Sequence, residues 1–155
     1  MIDYHVHVRS KSVKEDIKEI LKNMNKYNIS ESYLMSTYFP LKGSGVSNFN
    51  LFYHIENIKN LKMWASLDFE TYFWMGYNEI NSILNINKEK IIGFKIYTGY
   101  QVIDINSKKI NLILELARQY KKPIMFHTGF LENSKEIFDI SKESRTWLLA
   151  LILVY

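Results

Sequence analysis

The apolar positions of this chain change period several times, and each change marks an element. At the N-terminus Tyr4, Val6 and Val8 alternate with Asp3, His5 and His7, the period of a strand with two unlike faces. From Val13 the period lengthens. Val13, Ile17, Ile20, Leu21 and Met24 share one side of a helix over 13–27, with Lys14, Lys18 and Lys22 on the other. Ser12 and Glu15 stand at capping-box spacing before it, and Asn28 ends it. Residues 31–38 form a second strand stopped by Pro40, and Leu41, Lys42, Gly43, Ser44 and Gly45 a loop. That loop lacks the glycine spacing and the Lys-Ser/Thr pair of a phosphate-binding loop. A second helix is predicted over 48–60, with Phe49, Phe52, Tyr53 and Ile55 as its inward stripe.

A third strand over 62–69 leads to an aromatic helix over 70–84, where Tyr72, Phe73, Trp74 and Tyr77 read as core or pocket wall. Residues 91–97 are nearly continuously apolar, as buried parallel strands are. Gly99, Tyr100 and Gln101 make a turn. Asn106 or Ser107 caps a fourth helix carrying Ile110, Ile113, Leu114, Ala117 and Tyr120, stopped by Pro123. A fifth strand covers 123–127, and a last helical segment starts near Glu132 and passes Ser141.

Five strands alternating with helices at spacings of roughly thirty residues predict an α/β fold with a parallel sheet and crossover helices. In such folds ligands bind at the carboxyl ends of the strands. The residues that carry chemistry fall near those ends. His5 and His7 point to one face of the first strand, with Val6 on the other, and two imidazoles so placed can converge on one ion. Imidazole suits zinc, iron, nickel or manganese better than calcium or magnesium. Lys95 interrupts the fourth strand, where a cation is unfavourable unless it is paired, modified or opens to a polar cavity. His127 ends the fifth. By contrast, His54 has no partners near it in sequence and reads as structural, and Asp68 reads more readily as a cap than as a site residue.

Composition narrows the function classes. The chain has 155 residues, 47% apolar and 23% charged, a globular profile. Its net charge of +4 is spread over helices with Glu and Asp between the Lys residues, a solvated surface rather than a nucleic-acid footprint. No cysteine is present, so there is neither a disulfide nor a thiolate site. No secretory signal is visible, and the apolar run over 147–155 is too short to span a bilayer. The expected setting is the cytoplasm and the expected partner a small-molecule substrate, with neither nucleic acid nor membrane.

Three stretches together resemble the amidohydrolase superfamily: Ile2-Asp3-Tyr4-His5-Val6-His7, Gly93-Phe94-Lys95-Ile96-Tyr97-Thr98-Gly99-Tyr100, and Pro123-Ile124-Met125-Phe126-His127-Thr128-Gly129. The branch they are most similar to is the amidohydrolase-related (amidohydrolase 2-like) group of metal-dependent hydrolases, which also holds decarboxylases and hydratases; the likeness extends over 1–140. It implies a (β/α)8 TIM-type barrel, a divalent metal with zinc foremost, His5 and His7 as ligands, and His127 as a further ligand or a contact to metal-bound water. Lys95 has two roles within the superfamily: carboxylated and bridging two metals, or shaping the pocket of a single one. The reaction implied is attack of metal-activated water on an amide, ester or related carbonyl, with a carboxylate from the eighth strand as general base. Phosphoesterases and deoxyribonucleases of related barrels also open with His-x-His, but would be expected to place Glu where Lys95 stands.

The chain also departs from that pattern. A full barrel takes about 250 residues, and strands six to eight have no convincing counterpart here. The expectation is therefore about five βα units of eight over 1–140, followed by an atypical apolar tail over 141–155, as in a C-terminally truncated product. That tail reads otherwise as a short sixth strand or the last turn of a helix. A half-barrel would leave its last strand open to self-association, and activity would be impaired or absent, leaving an inactive fragment or interaction module.

Overall fold

The computed structural model describes residues 1–9, 12–37, 45–98, 101, 103–104, 106–127 and 149–152. Strands β1 (Ile2–Val8), β2 (Glu31–Ser36), β3 (Leu61–Ser66), β4 (Ile91–Ile96) and β5 (Ile124–His127) alternate with helices α1 (Val13–Tyr27), α2 (Asn48–Ile55), α3 (Phe73–Asn87) and α4 (Lys108–Tyr120). The five strands pair in parallel and in sequence order. Each parallel pair needs a crossover, and a helix supplies it. The order never reverses, as it does in a doubly wound sheet, so the sheet grows in one direction like part of a barrel. Among the described residues no helix is long and apolar enough to cross a membrane.

The expected elements are present with shifted ends, and the shifts have local causes. Helix α3 begins at Phe73 rather than Glu70, because the Asp68 carboxylate accepts the N–H groups of Glu70 (2.8 Å) and Tyr72 (3.1 Å) and holds a turn there. Helix α2 ends at Ile55, where the Ile58 N–H turns back to the Ile55 carbonyl at 2.9 Å. The inward stripe of α2 also differs from the expected one. Phe52 and Ile55 are buried with Asn48 and Leu51, whereas Phe49 and Tyr53 face solvent. Positions 48, 51, 52 and 55 share one side of a helix, and 49 and 53 lie a quarter-turn or more away. Trp74 on α3 is likewise exposed. At α1, Ser12 occupies the cap position, but the cap is made by its backbone carbonyl, which receives Glu15 and Asp16, with no side-chain capping bond.

The apolar tail, for which a short sixth strand is the alternative reading, contains a strand, β6 (Leu149–Ile152), antiparallel to β5 from Ile124↔Ile152 to His127↔Leu149. The β5 edge, expected to be open, is thus paired along its length. Parts of the loops at 41–45 and 99–101, the helical segment from 132, and residues 128–129 and 141–148 lie outside the described residues.

Two apolar layers flank the sheet. The larger lies under the helices: Val8, Leu34, Met63, Ala65, Phe94 and Ile124 from the strands meet Ile17, Leu51, Ile55, Ile80, Ile83 and Ile113. Each large aliphatic or aromatic side chain buried in this way stabilises by about 1.5–3 kcal/mol, and the Ala65 methyl by less. The opposite, inner face carries a small cluster, Met35, Trp64 and Met125, with Tyr33 and Ile92 against it. A buried polar knot ties α2 to the sheet. Asn48 Oδ1 accepts from Ser36 Oγ (2.8 Å) and the Ser66 N–H (2.9 Å), and its Nδ2 donates to the Ser66 carbonyl (2.8 Å). Glu79 Oε2 accepts the Asn48 N–H at 3.0 Å, and burial pushes the Glu79 carboxyl up from its ordinary pKa.

Candidate metal centre

The first strand is not regular. Asp3 pairs with Ser32 and Val6 with Leu34, so β1 spends three residues where β2 spends two, a bulge at Tyr4 and His5. The peptide joining those residues is held by side chains. Its carbonyl, on Tyr4, accepts the Trp64 indole N–H at 3.1 Å, and its N–H, on His5, donates to Asp3 Oδ1 at 3.2 Å. Tyr4 lies edge-to-face on Tyr33, with ring centroids 4.9 Å apart.

Beyond the bulge the two histidines converge. Their rings are 4.8 Å apart between centroids, and His5 Nε2 stands 2.9 Å from His7 Nε2, one donating and one accepting. Two nitrogen ligands of one tetrahedral zinc ion stand roughly 3.3 Å apart. The pair is therefore within a few tenths of an ångström of what a shared ion requires.

Lys95, on β4, is fully buried, and its Nζ has no hydrogen-bond partner among the described residues. It lies 5.3 Å from the centre of the Tyr97 ring, which in turn is 6.0 Å from the His127 ring on β5. Tyr97 O–H donates to the Ser36 carbonyl at 3.3 Å, and Thr98 Oγ1 donates to the His127 carbonyl, so the ends of β4, β5 and β2 are tied together.

The electrostatics place these groups around one space. Burial lowers the pKa of His5, aided by the Lys95 charge and opposed by Asp3. Burial, then Arg9 and His5, bring His7 down to about 4; burial, then Lys95, do the same for His127. His127 also contributes to the lowering of His7, although their strands are four apart in the sheet order. In a flat sheet that separation would be about 19 Å, too far for such an effect, so the sheet curls to bring them together. All three imidazoles are neutral near pH 7, the form that ligates metal. Burial alone lowers Lys95 to about 8, leaving it mostly cationic there.

Of the four residues proposed from sequence, His5 and His7 are in contact, and Lys95 and His127 share their face at a greater distance. Among the described residues no group of three or more His, Cys, Asp or Glu stands close enough to hold an ion. Asp68 serves the β3–α3 turn, and His54, with Nδ1 2.8 Å from the Asn50 carbonyl, lies on α2 away from this face. Sequence reasoning missed Trp64, Asp3 and Tyr97. Strand parity held the signal for Trp64, since Lys62, Trp64 and Ser66 alternate with Met63 and Ala65, which face the helices. No protein-family model matches the chain, and no curated protein matches it.

Proposed function

We propose that this chain carries the metal-binding face of an amidohydrolase-type hydrolase, with β1 to β5 corresponding to the first five units of a (β/α)8 barrel. The observation that supports it is the 2.9 Å approach of His5 Nε2 to His7 Nε2, between neutral imidazoles on the face that also holds a buried lysine. In this reading His5 and His7 would hold a divalent ion, zinc foremost, and His127, farther off on the same face, would contact its water. Such an ion, when bound, polarises a carbonyl and supplies hydroxide near neutral pH. The chain's own residues do the rest. The bulge aims His5 at His7, and the apolar floor of Met35, Trp64 and Met125 excludes water beneath them. Lys95 fixes a positive charge where an oxyanion would develop from an amide, ester or related carbonyl. The eighth-strand carboxylate that the resemblance assigns as general base would lie outside these five units.

The test is metal content of the purified chain beside His5→Ala and His7→Ala, with a panel of amide, ester and carboxylate substrates assayed with and without chelator. One ion in the parent, lost in both variants, supports the reading; equal content in all three rejects it. A second reading, an inactive half-barrel that serves as an interaction module, is favoured by β6, whose antiparallel course departs from a barrel's sixth strand. Metal binding without chelator-sensitive turnover distinguishes it.

A further inference from the structure

We propose that Trp64 is a positioning residue for the His5–His7 pair, acting with Asp3 through the Tyr4–His5 peptide. The proposal rests on the reading of that pair as a metal centre, and the peptide geometry carries it. Among the described residues β1 has β2 as its one neighbour, so in a regular strand one group of this peptide would pair with β2 and the other would face the open edge. The bulge takes it out of that ladder, and side chains satisfy it instead: the Trp64 indole holds the carbonyl and the Asp3 carboxylate holds the N–H. The plane of one peptide is fixed from both ends, and the next bond in the chain carries the His5 side chain. Bulges re-aim side chains in this way. Groups that orient a ligand without touching the ion typically change metal affinity 10–100-fold.

Trp64 can hold that carbonyl because it is braced from the other side. It springs from β3, and its indole reaches β1 across β2. Its six-membered ring lies over Gly93 on β4. A methyl group added at Gly93 would stand 2.3 Å from Cζ3 and 2.8 Å from Cε3 of that ring, and 2.6 Å from the Pro123 carbonyl oxygen. Here too the register shifts: Met63 pairs with Ile91 and Trp64 with Gly93, so β4 spends an extra residue beside the indole. One buried side chain thus links a bulge in the strand of the imidazoles to an irregularity in the strand of Lys95. The indole N–H therefore has a task that ring volume alone does not perform.

The experiment uses the full chain and three variants. Trp64→Phe keeps an aromatic ring and removes the N–H. Asp3→Ala removes the other half of the clamp at a half-buried position, and Asp3→Asn restores an acceptor there. Two readouts are taken. The first is zinc affinity by competition with a chromophoric chelator. The second, on metal-free protein, is the coupling across the His5–His7 hydrogen bond in nitrogen-15 spectra. We expect Trp64→Phe and Asp3→Ala each to weaken zinc binding about tenfold and to lose the coupling, and Asp3→Asn to keep both. Coupling retained in both Trp64→Phe and Asp3→Ala overturns the proposal. If Trp64→Phe does not fold, the comparison of Asp3→Ala with Asp3→Asn decides. A parent that shows the coupling but takes up no zinc rejects the metal reading alone, and the coupling arm still judges the clamp.

Discussion

Replacing Lys95 with Met should make this protein more stable. The Lys95 ammonium is fully buried with no hydrogen-bond partner among the described residues, and the ring of Tyr97 at 5.3 Å is a weak substitute for water. Among the described residues the imidazoles of His5, His7 and His127 feel its charge, and none of them carries a compensating negative charge. Burial brings its pKa from 10.5 to about 8. Each tenfold in an ionisation equilibrium is about 1.4 kcal/mol, so the charged form disfavours the fold by roughly 2–3 kcal/mol after allowance for partial screening. Because the folded pKa is the lower one, the unfolded chain binds more protons between pH 8 and 10.5, and stability rises with pH across that window. Met has nearly the same volume and no charge. Urea unfolding of parent and Lys95→Met at pH 7 and pH 9.5 should show the variant about 2–3 kcal/mol more stable at pH 7, with the gap narrowing to about 1 kcal/mol at pH 9.5. Destabilisation at pH 7 by 1 kcal/mol or more would mean that Lys95 has a partner in solution, and the account of it as an uncompensated charge would fall.

Gly93→Ala should be destabilising by about 2–3 kcal/mol, since a methyl cannot share the space of the Trp64 ring and the Pro123 carbonyl; thermal unfolding measures the loss, and a change below about 0.5 kcal/mol would refute the contact. Asn48→Ala should cost about 3 kcal/mol, because it leaves the N–H and carbonyl of Ser66 buried without their partner; chemical denaturation reports it. Acid should destabilise the fold as pH drops from 6.5 toward 4, because His7 and His127 resist protonation in the folded state and accept it when unfolded. His7→Gln with His127→Gln should flatten that slope, and an unchanged slope would show the imidazoles to be solvated.

What the residues revealed in advance followed from periodicity. The β1–β5 alternation with helices was legible because apolar runs such as Ile91 to Ile96 and the 3.6-residue spacing of α1 leave few alternatives. That His5 and His7 share a face was legible from strand parity; their approach to 2.9 Å goes further than parity does. The bulge was not, because register depends on the partner strand and no residue of β1 announces it. Without the bulge there was no reason to notice Trp64, whose role arises from three strands at once. The α2 stripe differs from the one its aromatic residues suggest because the polar Asn48 turns inward, satisfied by Ser36 on β2 and Ser66 on β3, while Phe49 and Tyr53 face solvent. The direction of β6 depends on a pairing that the composition of an apolar tail cannot specify.

X-ray absorption at the zinc edge of the zinc-loaded chain tests the central claim most directly. Convergence of His5 and His7 predicts at least two imidazole nitrogens at about 2.0–2.1 Å from the ion, with the outer-shell scattering of their rings, and loss of that signature in His5→Ala and in His7→Ala. A shell of oxygen atoms alone, or a spectrum indifferent to both substitutions, would contradict it.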